Sequence, residues 1–72
     1  MRQLTEFEVN ELKELTTRCV GVSREFRRLV DGSVAMCDDE GALQIRNDLN
    51  SVAVGLITYK DKKVEAVSVP KI

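Results

Sequence analysis

The sequence predicts an all-α fold: an antiparallel helical hairpin with a coiled-coil-like seam and a short extended C-terminal tail. Two segments carry apolar residues alternately three and four positions apart, which is the spacing of one face of a helix. A short segment containing Asp and Gly separates them, and a short connection of this kind joins antiparallel helices. The 72 residues are expected to form a single domain.

The first helix is expected over about residues 5–31. Thr5 and Glu8 have the spacing of a capping box, in which each side chain accepts a hydrogen bond from the other residue's backbone N–H. The apolar residues that follow predict this helix's half of the seam: Leu12, Leu15, Cys19, Val22, Phe26 and Leu29.

The end of the first helix is open within residues 31–37. Gly32 is typical of a position just after a helix. Val30, Ser33 and Cys37 nevertheless continue the apolar stripe, so the helix could also extend to residue 37.

The second helix is expected over about residues 39–60, with Asp38 or Asp39 as its N-cap. Its apolar residues keep the same alternation and predict the other half of the seam: Ile45, Leu49, Val52, Leu56 and Tyr59. The lysines after Tyr59 lie where the helix dipole favours positive charge. Acidic and basic segments alternate along the chain. In the hairpin, segments of opposite charge would then face one another.

Residues 61–72 are predicted to be an extended tail, because residues 64–72 alternate apolar and polar residues and include Pro70. An alternative is a β-hairpin with strands at 55–59 and 64–68, since Val, Ile, Thr and Tyr favour strands. The unbroken heptad spacing from Ala42 to Tyr59 favours the helix, and both interpretations stay open.

The composition argues against an enzyme. There is no His among the 72 residues, which removes the commonest general base and the commonest metal ligand. No glycine-rich phosphate loop is present. We therefore expect no catalytic residue, no metal and no cofactor. Cys19 and Cys37 are expected to be reduced, buried thiols.

The expected location is the cytoplasm. The first fifteen residues contain four Glu and no apolar segment of the kind found in export signals. The sequence contains no run of about 18 apolar residues, which a membrane-spanning helix would need. We expect no membrane partner.

A second apolar stripe predicts a protein partner or self-association. A single seam can cover only one face of a helix, and so small a core is marginally stable alone. An uncovered apolar stripe is typical of an interaction surface. The residues expected to bind a partner are Leu43, Ala53, Val54 and Ile57.

Four arginines could form a patch for RNA or an acidic partner: Arg24, Arg27, Arg28 and Arg46. The formal net charge of −1 argues against a protein that binds nucleic acid by bulk electrostatics. A solvated face balanced by the acidic residues of 31–50 is therefore the favoured interpretation, and nucleic acid is not the expected partner.

Residues 4–60 resemble the small two-helix co-chaperones of type III secretion needle subunits. The resemblance covers the acidic opening "LTEFEVNELKEL", the turn region "LVDGSVAMCDDEG" and the segment "LNSVAVGLITY". It implies a non-enzymatic co-chaperone subunit that binds a larger helical, tetratricopeptide-like chaperone. The pair would keep a self-polymerising secreted subunit soluble in the cytoplasm. The alternative is a homodimeric four-helix bundle that binds RNA or has a regulatory role.

Overall fold

The computed structural model of the protein describes residues 3–68. Two helices make up the fold, α1 (Glu6–Gly32) and α2 (Glu40–Ser68), and no strand occurs among the described residues. Arg27 contacts Asn50 and Asp31 contacts Arg46, so the helices run antiparallel. The molecule is 56 Å long and about 18 Å across. The predicted all-α helical hairpin is confirmed.

The start of α1 is the predicted capping box. The backbone N–H of Glu8 donates to Thr5 Oγ1 at 3.1 Å, and the backbone N–H of Thr5 donates to Glu8 Oε1 at 2.8 Å. Two amides that have no partner within the helix are thereby satisfied, which fixes the first helical turn.

α1 ends at Gly32, inside the range that the sequence left open. Ser33 is extended, with φ −104° and ψ 123°, and its N–H donates to the Val30 carbonyl at 3.2 Å. None of the described glycines has a positive φ, so Gly32 does not form a left-handed cap. The Ser33 carbonyl then accepts from the Cys37 N–H at 2.9 Å, which closes the turn.

Asp39 is the N-cap of α2. Its Oδ1 accepts hydrogen bonds from the backbone N–H groups of Gly41 at 2.8 Å and Ala42 at 3.2 Å. Of the two candidates, Asp38 and Asp39, the structure therefore selects the second.

The prediction of an extended tail was wrong for residues 61–68, and so was the alternative β-hairpin over 55–68, because α2 is helical through Ser68. Residues 69–72 lie outside the described part. Antiparallel packing explains the extra turns: the end of α2 lies beside the start of α1, where Lys60 and Val64 line a groove with Lys13. Val9, near the start of α1, is only 5% exposed.

The seam between the helices consists of small residues and valines. In α1 the buried positions recur every seven residues, and in α2 two alanines are buried: Val9, Thr16, Ser23, Val30, Ala42 and Ala53. The Thr16 hydroxyl donates to the Leu12 carbonyl at 2.7 Å, so this seam hydroxyl is satisfied within its own helix. Small side chains let the two helices approach closely, but they bury little apolar area.

The seam is not where the sequence placed it. Six of the predicted seam residues lie outside it and are about half exposed: Leu15, Val22, Leu29, Ile45, Val52 and Tyr59. The other five are only partly covered: Leu12, Cys19, Phe26, Leu49 and Leu56. The large apolar residues were assumed to form the centre of the contact. The helices pack instead along the neighbouring stripe of α1, at Thr16 and Ser23.

Candidate interaction surface

The six outlying residues form one surface, here named the open face: Leu15, Val22, Leu29, Ile45, Val52 and Tyr59. Each is between 48% and 59% exposed. Within each helix they are spaced seven residues apart, so each set of three stays on one side of its helix along almost four turns. The hairpin thus carries larger apolar side chains outside than it carries in its seam.

Both halves of the open face lie on the same side of the hairpin. Leu15 of α1 and Tyr59 of α2 line a common shallow pocket, together with Phe7 and Leu12. Because the helices are antiparallel, a step of seven residues from this pair brings Val22 level with Val52. A second step brings Leu29 level with Ile45. The open face therefore has three layers of two residues each.

Partly covered apolar side chains form the floor between the two exposed stripes: Leu12, Cys19, Phe26, Leu49 and Leu56. At the end remote from the turn, the surface continues through Leu4 and Phe7, and Phe7 is 71% exposed. The charged residues of this pocket, Glu8 and Glu11, also lie at that end. An uncharged surface of this extent is typical of a site that binds another protein.

The structure does not bring the predicted partner-binding residues together as an exposed stripe. Ala53 is buried in the seam, while Leu43 and Ile57 are half-buried. Val54 is 53% exposed, and with Ile57 it lines a groove on the opposite side of the hairpin from the open face. Helix α1 packs close to this stripe of α2. Most of the stripe is therefore already covered within the hairpin.

A basic face lies opposite the open face. Its cations line two adjoining grooves between the helices: Lys13, Arg24, Arg27 and Lys60. Arg27 Nη2 donates to Asn50 Oδ1 at 3.0 Å, and Lys60 pairs with Asp61 at 2.7 Å. Lys13 and Lys60 were not among the predicted patch residues. The spacing of Lys13, Thr17, Arg24 and Arg27 along one side of α1 was the signal that could have found the lysine there.

The predicted arginine patch is divided. Arg24 and Arg27 belong to the basic face, and Arg28 is exposed one turn beyond Arg24. Arg46 lies apart from them, because its Nη1 is 2.9 Å from Asp31 Oδ1. That ion pair compensates the Arg46 charge next to the turn.

The two cysteines are free and lie in different environments. Cys19 is half-buried in the floor of the open face, whereas Cys37 is exposed in the turn, which corrects the expectation that both are buried. Cys37 Sγ donates to the Val34 carbonyl at 3.6 Å. Over residues 3–68, no group of three or more His, Cys, Asp or Glu side chains is placed to hold a metal ion.

Neither helix of the described chain combines the length and the apolar character that crossing a bilayer requires. Comparisons with known protein families, with curated proteins and with solved structures give no match.

Proposed function

We propose that this protein is a non-enzymatic interaction module that binds helices of another polypeptide through the open face. One observation carries the proposal: the Leu, Ile and Tyr side chains of the open face are about half exposed, whereas the buried residues of the described seam are no larger than Val. A chain whose only apolar contact was its own seam would gain stability by placing Leu15, Val22 and Leu29 inward. Their outward position is best accounted for by a partner that covers them.

The energetic gain from covering the open face is large for so small a protein. Complete burial of a Val, Leu or Ile side chain contributes about 1.5–3 kcal/mol. These side chains are about half exposed, so each would contribute on the order of 1 kcal/mol when covered. The stability of small domains is only about 5–15 kcal/mol. Association through this face would therefore change the stability of the fold as well as bind the partner.

The co-chaperone role implied by the resemblance is the specific form of this proposal. In that form, the open face lies against a larger helical, tetratricopeptide-like chaperone in the cytoplasm. The complex would keep a self-polymerising subunit soluble. A two-helix unit with a largely apolar face offers the surface that such an assembly needs.

A second candidate function is RNA binding by a dimer, and the basic face is the observation in its favour. When the open face is covered, Lys13, Arg24, Arg27 and Lys60 still point outward on the other side. Phosphate groups would be the natural ligands of such a row of cations. The pairing of Lys60 with Asp61 and the overall charge of −1 weaken this candidate.

The test is site-specific photo-crosslinking of the full chain in its own cells. Benzoylphenylalanine replaces Val22 on the open face and, as a control, Thr17, which is exposed and lines a groove of the basic face. We expect a discrete crosslinked protein from position 22 and none from position 17. A crosslink to a tetratricopeptide chaperone would support the co-chaperone form. No crosslink from position 22, or equal products from both positions, would reject the open face as the binding surface.

A further inference from the structure

We infer that the open face is occupied by a second copy of this chain, giving an antiparallel four-helix bundle whose two-fold axis passes through the layer of Val22 and Val52. The inference rests on the proposed function, because it concerns the same surface, and it names a second copy as the occupant in place of a larger chaperone. Two observations support it: the order of the layers and the charges beside the face.

The layers of the open face match their own reversed order. The middle layer holds two valines, Val22 and Val52, and each outer layer holds two larger residues. A two-fold axis through the middle layer places Leu15 and Tyr59 of one copy against Leu29 and Ile45 of the other. The same surface then fills both sides of the contact, as an isologous interface requires.

The charges beside the open face specify the orientation. Arg18 precedes Val22 by four residues and Glu25 follows it by three, so both lie on the side of α1 that carries Val22. When α1 packs antiparallel against α1 of the second copy, Arg18 of each copy lies near Glu25 of the other.

Other arrangements are less favourable. A parallel contact between the two α1 helices would place Arg18 next to Arg18 and Glu25 next to Glu25. A contact of α1 with α2 of the second copy would bring Glu25 level with Asp48, which are both acidic. Exposed charges of this kind add little affinity, but they discriminate between orientations.

The first test measures the mass of the reduced full chain by sedimentation equilibrium over a concentration series. We expect a reversible dimer. Val22→Asp should make the chain monomeric, while Val34→Asp, at a turn position that is 93% exposed, should leave the dimer unchanged. Circular dichroism checks that each variant is helical. A wild-type chain that stays monomeric up to millimolar concentration would overturn the inference.

The second test is a charge exchange at exposed positions, which does not depend on a core variant folding. Arg18→Glu alone and Glu25→Arg alone should each weaken the dimer roughly tenfold, because two symmetric attractions become repulsions. The double variant should restore the dissociation constant to within about twofold of the wild type. Additive loss in the double variant would overturn the antiparallel α1 contact.

The crosslinking experiment distinguishes a failure of the second-copy inference from a failure of the proposed function. A product of twice the chain mass from position 22 supports the second copy. A monomeric chain that crosslinks from position 22 only to a different protein would overturn the second copy and leave the proposed function in place. A monomeric chain that gives no crosslink there would overturn both.

Discussion

Arg46 Nη1 lies 2.9 Å from Asp31 Oδ1, and this is the ion pair that joins the two helices within the described part of the chain. The Arg46 side chain is 31% exposed and that of Asp31 is 56% exposed, so solvent and salt screen the attraction. The pair lies at the ends of α1 and α2 that face the turn, where it holds the helices in one register.

Replacing Asp31 by Asn is expected to lower the free energy of unfolding by about 0.5 kcal/mol, within the range of partly exposed pairs. The loss should shrink at high salt, because the pair is screened there in the wild type. Thermal unfolding at low and high ionic strength measures this. Glu14→Gln is the control: its pair with Arg18 is 4.0 Å long, exposed and within one helix. A larger effect in the control would contradict the importance of the Asp31 pair.

Ala53→Leu is expected to lower the free energy of unfolding by about 1–3 kcal/mol, because Ala53 is 5% exposed and a larger side chain would separate the helices. Ser51→Leu, at an exposed position of the same helix, is the control and should be close to neutral. Denaturant unfolding of both variants at equal protein concentration gives the comparison. If Ala53→Leu is neutral or stabilising, the seam does not pass through Ala53.

Gly55→Ala is expected to raise the free energy of unfolding by about 1 kcal/mol, since Gly is less favourable than Ala inside a helix by about that amount. A Cβ at Gly55 meets nothing within 4 Å, whereas a Cβ at Gly41 would lie 3.2 Å from Asp39 Oδ1, the cap of α2. Gly41→Ala should therefore gain less. Equal gains in thermal unfolding would show that the Asp39 cap tolerates the methyl group.

Binding of a structured RNA is expected to be weak and non-specific at physiological salt. Any affinity should come from the basic face, so Arg24→Ala with Arg27→Ala should reduce both the affinity and its dependence on salt. Lys62→Ala is the control, because Lys62 is exposed and lines neither groove of the basic face. A tight, saturable complex in a filter-binding titration would instead favour the RNA-binding dimer over the co-chaperone.

Much of the fold could be predicted from the sequence because its signals are local. The Thr5–Glu8 capping box and the Asp39 cap depend only on neighbouring residues, and heptad spacing identified both helices. The length of α2 could not be predicted in this way. Residues 64–72 alternate apolar and polar residues like a strand, whereas α2 continues through Ser68 beside the start of α1, where Val64 and Lys13 line a common groove.

The candidate site was harder to predict for a different reason. Heptad spacing identifies which residues share a side of a helix, but not which side meets the neighbouring helix. Leu15 and Val22 were assigned to the seam because large apolar residues are usually buried. The small residues at Thr16, Ser23 and Ala53 permit closer packing of the two helices. Which stripe of each helix is buried therefore depends on the packing of the complete hairpin.

The short turn between the helices also sets the order in which the hairpin can assemble. Contacts next to it close small loops, since Asp31 and Arg46 are 15 residues apart, whereas Arg27 and Asn50 are 23 apart. Loop closure costs more entropy as the number of residues between two contacting positions grows. The contacts between the helices are therefore expected to form first next to the turn and then progressively further from it. Amide hydrogen exchange in the monomeric state should accordingly be slowest near the turn and fastest in the turns around Glu6 and Glu65.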